Sequence, residues 1–182
     1  MSLRVLSDTD RQSKLADDQS KLLAQLDGVS KKFAGASHNS LEDINLEVFQ
    51  KDFLSIVGPS GCGKTSLLKM MCGLIKPTSG KIDWPTSNFQ NSPENPANLS
   101  YVFQEPNLLP WMNVYENIKL PLKIVKEDTY SADEKIYEII NLVGLQGFEG
   151  YFPKQLSGGM SMRVSIARAL VTQPKVLLMD EP

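Results

Sequence analysis

The stretch Gly58-Pro-Ser-Gly-Cys-Gly63-Lys64-Thr65 fits G-x-x-x-x-G-K-[ST], and it constrains the fold because of its flanks. Before it, Phe53 to Val57 reads as a short apolar strand. After it, Leu67, Leu68, Met71 and Leu74 recur at helical spacing until Gly73 and Pro77 signal a stop. Strand, glycine turn and helix are one half of a βαβ unit. In such a turn the glycines let successive N–H groups converge on phosphate oxygens. The helix aims its positive end at them, and a lysine offsets charge on the β and γ phosphates. The residues expected around a nucleotide are therefore Gly58, Pro59, Ser60, Gly61, Cys62, Gly63, Lys64, Thr65 and Ser66, with the Thr65 hydroxyl directed to Mg²⁺. Cys62 reads as a small tolerated residue, since nothing nearby pairs it with a base. The plainer alternative, a glycine turn with an exposed lysine, does not need a strand before and a helix after.

The rest of the chain continues the alternation. Order is expected from Leu26 to Phe33; Ile44, Leu46 and Val48 alternate as in a half-buried strand, and Asn98 to Phe103 is a further strand candidate. Ser131-x-x-Glu134 is a capping box opening a helix with Ile136, Ile139, Ile140 and Val143 on one face, closed by Gly144. A second helix from about Gly159 to Val171 places Val164, Ala167 and Val171 together, and Val176 to Met179 is a short run of buried-strand type. Strands interleaved with helices predict an α/β fold with a largely parallel core sheet. Asn88 to Asn98, rich in Pro and Asn, reads as an exposed loop, and residues 1–24 as a polar leader ahead of a domain over residues 25–182.

Composition narrows the function classes. Nineteen Lys plus Arg against 21 Asp plus Glu give a net charge of −2, which disfavours a strongly basic nucleic-acid binder. No apolar run is long enough to span a bilayer, and Asp8, Asp10, Asp17 and Asp18 occupy the region where a signal peptide would be apolar. A cytoplasmic location is expected. Cys62 and Cys72 are too few and badly spaced for a disulfide framework or a metal clip.

Two further stretches carry chemistry. Val176-Leu-Leu-Met-Asp180-Glu181 ends an apolar strand in two carboxylates, at the strand end where ligands gather in parallel sheets. Asp180 is expected to hold Mg²⁺ directly or through its water, and Glu181 to polarise the attacking water as general base. Alone, such a pair is an ordinary solvated strand terminus; beside a phosphate loop it gains a role. Leu156-Ser157-Gly158-Gly159-Met160 precedes a helix bearing Arg163 and Arg168, and Ser-Gly-Gly at a helix start is a second anion site.

Taken in order, the phosphate loop, Gln104, LSGGM and MDEP resemble the ATP-binding subunit of ABC transporters, with the usual LSGGQ signature here ending in methionine. The resemblance runs from Leu26 to Pro182, and FQEPNLLPWMNVYENIKLPL looks most like the nitrate, sulfonate and taurine import branch. It implies a P-loop NTPase fold of the ABC type and ATP hydrolysis with Mg²⁺. It further implies that Phe33 stacks on adenine and that Gln104 touches Mg²⁺ and the attacking water. Lys64, Gln104 and Glu181 are the implied catalytic set, and Thr65, Gln104 and Asp180 the metal set. Ser157, Gly158 and Gly159 would reach the γ-phosphate held by a second copy, so that two chains sandwich two ATP molecules head to tail. Glu105 to Trp111, with Leu108, Leu109 and Trp111 exposed, would face an integral membrane permease at the cytoplasmic face of the cell membrane. An extracytoplasmic solute-binding protein would be an indirect partner.

The match departs at Met160 and Met162, where glutamine is usual, and again after Pro182. The family continues into an Asp-containing loop and a switch histidine, and His38, upstream of the phosphate loop, cannot be that histidine by order. The domain is therefore expected to lack its C-terminal part, and an ATP-binding fragment unable to hydrolyse ATP is one alternative function. A non-transport ABC ATPase acting on nucleic acid is another. The interval from Lys64 to Ser157 leaves no room for a long coiled-coil insertion, and the charge agrees with no nucleic-acid partner.

Overall fold

The computed structural model describes residues 4–7, 22–84, 99–126 and 129–182. The chain divides into two compact units, with the boundary between Asn91 and Ser92. The expected loop Asn88–Asn98 lies outside the described residues, as do 1–3 and 8–21 of the expected leader. Within that leader Arg4–Ser7 forms strand β1.

In the first unit β2 (Leu22–Lys31), β3 (Leu41–Phe49) and β5 (Ser79–Asp83) form an antiparallel sheet in the order β3-β2-β5. β1 pairs antiparallel with β4 (Leu54–Val57), and α1 (Lys64–Met71) follows the glycine turn. β2 buries Leu23, Ala24, Leu26 and Val29 without a strict period of two, and Leu26 lies opposite Leu46 of β3 and Ile82 of β5. A bulge between Leu26 and Val29 interrupts the β2–β3 register. There the Gly28 N–H donates to Asn45 Oδ1 at 2.8 Å, so a side chain supplies the acceptor that the ladder lacks. On the other edge, a Cβ on Gly80 would lie 2.3 Å from the Gly28 carbonyl oxygen, a backbone approach that only glycine permits.

The second unit contains β6 (Leu99–Val102), α2 (Val114–Ile124), α3 (Thr129–Leu142), a 3₁₀ turn at Pro153–Gln155, α4 (Gly158–Leu170) and β7 (Val176–Met179). β6 and β7 are parallel neighbours. Val114, Ile118 and Leu122 of α2, Ala132, Ile136 and Ile140 of α3, and Val164 and Ala167 of α4 form one core with Leu145 and Val171. Each of the larger side chains contributes about 1.5–3 kcal/mol through burial.

The sheet expected to be largely parallel is mixed among the described residues. Only β6–β7 is parallel, whereas β1–β4, β2–β3 and β2–β5 are antiparallel. Connection length is the reason: the short segment 32–40 joins β2 to β3 as a hairpin does, while the three helices between β6 and β7 provide the long crossover that parallel neighbours need. Helix α2 is an addition to the elements expected from the sequence. Asn113 accepts from the Glu116 N–H at 2.8 Å and Glu116 accepts from the Asn113 N–H at 2.9 Å, a capping box that starts α2 despite Pro121 inside it. Helix α3 begins ahead of Ser131, so that residue lies in its first turn and not before it. In α1 the inward positions are Leu67, Leu68, Met70 and Met71, and Leu74, past the helix end, is 57% exposed. Among the described residues no helix is long and apolar enough to cross a membrane.

Candidate functional site

The glycine turn sits between β4 and α1 as the motif requires. Gly61 and Gly63 both have left-handed backbone, at φ 77° and 101°, and Gly63 is the N-cap of α1. A Cβ on Gly63 would lie 2.7 Å from Leu41 Cδ2 and 2.8 Å from the Ser40 carbonyl oxygen. Glycine here is thus fixed twice, by torsion and by space. Gly58 through Gly61 are exposed, and Lys64 Nζ folds back to donate to the Gly58 and Pro59 carbonyls at 3.0 and 3.2 Å. The turn's amides, the first turn of α1 and one ammonium held on the loop are a donor set suited to a polyphosphate.

The second unit carries the carboxylates. Asp180 is only 4% exposed, and its N–H donates to the Val102 carbonyl at 3.0 Å, extending the β6–β7 ladder one residue past Met179. Tyr101 Oη donates to Asp180 Oδ2 at 3.1 Å. Glu181 is exposed, at φ 48°, and Gln104 Nε2 donates to its Oε2 at 2.9 Å. The parallel pairing thus brings together Gln104, Asp180 and Glu181, three of the expected site residues. No group of three or more His, Cys, Asp and Glu is gathered among the described residues. Mg²⁺ is the divalent ion commonly held by one or two protein oxygens with phosphate and water supplying the rest. The buried Asp180 carboxylate in the second unit and the Thr65 hydroxyl in the first are each a donor of that type, so each by its chemistry suits Mg²⁺.

Ser157 is the N-cap of α4, its Oγ accepting from the Met160 N–H at 3.2 Å. Gly158 and Gly159 open the helix, and a Cβ on either would meet nothing within 4 Å. Phe33 is 43% exposed, with Lys31 Nζ 5.3 Å from its ring centroid, so it is a surface aromatic and not a core one. His38 is exposed.

The loop from Glu105 to Trp111 differs from its expected form. Trp111 is 69% exposed, but Leu108 packs against the helical core and Leu109 is half-buried; the apolar patch is narrower than expected because the loop is tied down. Fully buried Asn117 accepts from the Leu109 N–H and donates to the Leu109, Met112 and Asn113 carbonyls. Arg168 donates to the Pro106 and Asn107 carbonyls at 2.9 and 3.0 Å, and burial pulls its guanidinium below the ordinary arginine range. The sequence motifs include neither Asn117 nor Tyr101. Asn117 comes directly after a capping box, a signal that could have found it; for Tyr101 the only signal is its place in the strand before Gln104.

Residues 41–182 match the family model described as ABC transporter. The chain is 46% identical over 154 residues to the spermidine/putrescine import ATP-binding protein PotA of Fusobacterium nucleatum, covering 85% of this chain and 40% of that protein. It is 42% identical over 163 residues to the aliphatic sulfonates import ATP-binding protein SsuB of Bacillus cereus, covering 88% and 62%. The chain thus spans about half the length of the curated relatives it matches. Among solved structures, the dimeric post-hydrolysis state of the ATP-binding cassette MJ0796 bound to ADP and Pi superimposes with a TM-score of 0.76 at 29% identity, covering 87% of this chain and 73% of that one.

Proposed function

The chain belongs to the ABC transporter family, as an ATP-binding domain of P-loop NTPase fold, and from that premise we propose that it is the ATP-hydrolysing subunit of an importer. The observation that carries the reading is the meeting of Gln104 with Glu181, beside buried Asp180, in a chain that also holds the Gly58–Thr65 loop.

In this reading ATP with Mg²⁺ supplies an activated γ-phosphoryl group. The N–H groups of Gly58 and of Ser60 to Ser66 and the Lys64 ammonium bind its phosphates and offset the charge that grows as the bond to the leaving oxygen lengthens. Phe33 offers a ring face for adenine, and Thr65, Gln104 and Asp180 are the residues that would hold the metal. Glu181 takes a proton from the attacking water as the new oxygen–phosphorus bond forms and the bond from the β-phosphate bridging oxygen to the γ-phosphorus breaks. Gln104 orients that water. Ser157, Gly158 and Gly159, at the cap of α4, serve the γ-phosphate bound by a second copy in a head-to-tail sandwich.

A membrane permease is the proposed partner, met through the Glu105–Trp111 loop on the cytoplasmic face of the membrane, with a solute-binding protein acting indirectly. The sulfonate relative supports the nitrate, sulfonate and taurine branch as the class of solute, and the polyamine relative shows that other import systems carry a similar domain.

The test is Mg²⁺-dependent ATP turnover by the full-length protein. Glu181→Gln is expected to lower turnover by about 10²–10⁴-fold while ATP binding persists. Unchanged turnover in Glu181→Gln, or none in the parent, would overturn the proposal.

A further inference from the structure

We infer that Tyr101 is a positioning residue for the metal-facing carboxylate of Asp180. The inference rests on the reading of Asp180 as a Mg²⁺ residue and adds a residue that neither the phosphate loop nor the acidic pair contains.

The parallel register sets the geometry. Tyr101 is the Cα partner of Leu178, and side chains paired across two strands point to the same face of the sheet. Leu178 and Asp180 share a face by the period of two, and both are buried while Met179 between them is 40% exposed. Asp180 is therefore the diagonal neighbour of Tyr101, a separation that a long aromatic side chain can cross. The phenol does cross it, donating from Oη to Oδ2 at 3.1 Å. Its ring is steadied by Phe103, whose centroid lies 4.5 Å away at a 47° tilt.

A buried carboxylate needs such a donor, because moving a charge out of water costs several kcal/mol unless hydrogen bonds replace the lost solvent. Backbone and side chain of Asp180 are both restrained from β6, the first by Val102 and the second by Tyr101. With Oδ2 engaged by Tyr101, rotation of the carboxylate is restrained. Partners of this outer kind set ligand orientation and metal affinity elsewhere, and losing one typically costs 10- to 100-fold in metal affinity or activity. Gln104 and Tyr101 thereby divide the work at the end of one strand: Gln104 meets Glu181, and Tyr101 holds Asp180.

The experiment uses the full-length protein and a fluorescent ATP analogue, with affinity measured in EDTA and across a Mg²⁺ series. Tyr101→Phe keeps the ring and removes only the donor, and its melting midpoint is compared with the parent's. The expected result is an Mg²⁺ midpoint raised about tenfold with affinity in EDTA unchanged. Asp180→Asn serves as the reference and is expected to shift the midpoint at least as far. An unmoved midpoint in Tyr101→Phe beside a shifted one in Asp180→Asn would overturn the inference alone. Equal losses of affinity in EDTA and in Mg²⁺ would overturn it by showing a packing role. An unmoved midpoint in Asp180→Asn would overturn the metal reading and the inference with it.

Discussion

The glycine turn and the helical unit solve the problem of holding functional groups in opposite ways. In the turn, the groups proposed to meet phosphate are backbone amides whose direction comes from left-handed torsions at Gly61 and Gly63, on a loop that is exposed through Gly61. In the second unit, functional side chains hang from a packed core and are held by other side chains: Asn117 and Arg168 on the Pro106–Asn113 loop, Tyr101 on Asp180, Gln104 on Glu181. Binding and stability should therefore come apart under mutation in the first region more readily than in the second.

The largest expected effect tests the first half of that contrast. Lys64→Ala should weaken ATP affinity by about 10²–10³-fold with little change in melting midpoint, measured by analogue binding and calorimetry; a collapse of the midpoint would contradict it. Next, Asn117→Ala removes a fully buried amide whose oxygen and two N–H groups tie down the loop. A loss of about 3 kcal/mol is expected from denaturant unfolding. Gly63→Ala is the place where the contrast should fail, since the turn there is also packed. Left-handed torsion and the clash with Leu41 predict a loss of about 1–3 kcal/mol together with weakened ATP binding.

The smallest effect concerns the link between α2 and α3, where Lys119 Nζ donates to Asp133 Oδ1 at 2.7 Å and to Tyr115 Oη at 3.1 Å. Hydrogen bonding from Lys119 and then from Tyr115 lowers the Asp133 carboxyl below its usual range, and bonding to Asp133 first raises Lys119 above its own. Because the carboxyl is depressed on folding, its contribution is present above about pH 3.9 and is lost as pH falls through the lowered value. Because the ammonium is raised, its contribution holds up to about pH 10.4 and is lost above that. Asp133→Asn should therefore give a small deficit in melting midpoint that is flat from about pH 5 to 9 and vanishes towards acid.

Legibility in the sequence tracks the range of the interaction. The phosphate loop, α1, α4 and β7 are readable because each is written in a few adjacent residues: a glycine spacing, a helical repeat, an apolar run. Helix α2 is equally local, with Asn113 and Glu116 as a box and Val114, Ile118 and Leu122 on one face, but Pro121 inside it and the run Pro106 to Pro110 before it speak for loop. Pairing cannot be read. Nothing in Arg4–Ser7 says that it lies beside Leu54–Val57, and the fit of Gly80 against Gly28 exists only once two strands are adjacent. Of the candidate site, the sequence names the residues proposed for it, whereas the partners that hold them are not legible. Tyr101 reaches Asp180, and Arg168 the Pro106 carbonyl, across long stretches of chain.

Helix α4 has one more property. Thirteen residues at 1.5 Å each make a strut about 20 Å long, with Ser157 at one end and Arg168 in its last turn. The fork of Arg168 grips two consecutive carbonyls, at Pro106 and Asn107, so the joint resists rotation as well as pulling. Ser157 and the Pro106–Asn107 carbonyls are thus the two ends of one continuous rod, joined through Arg168.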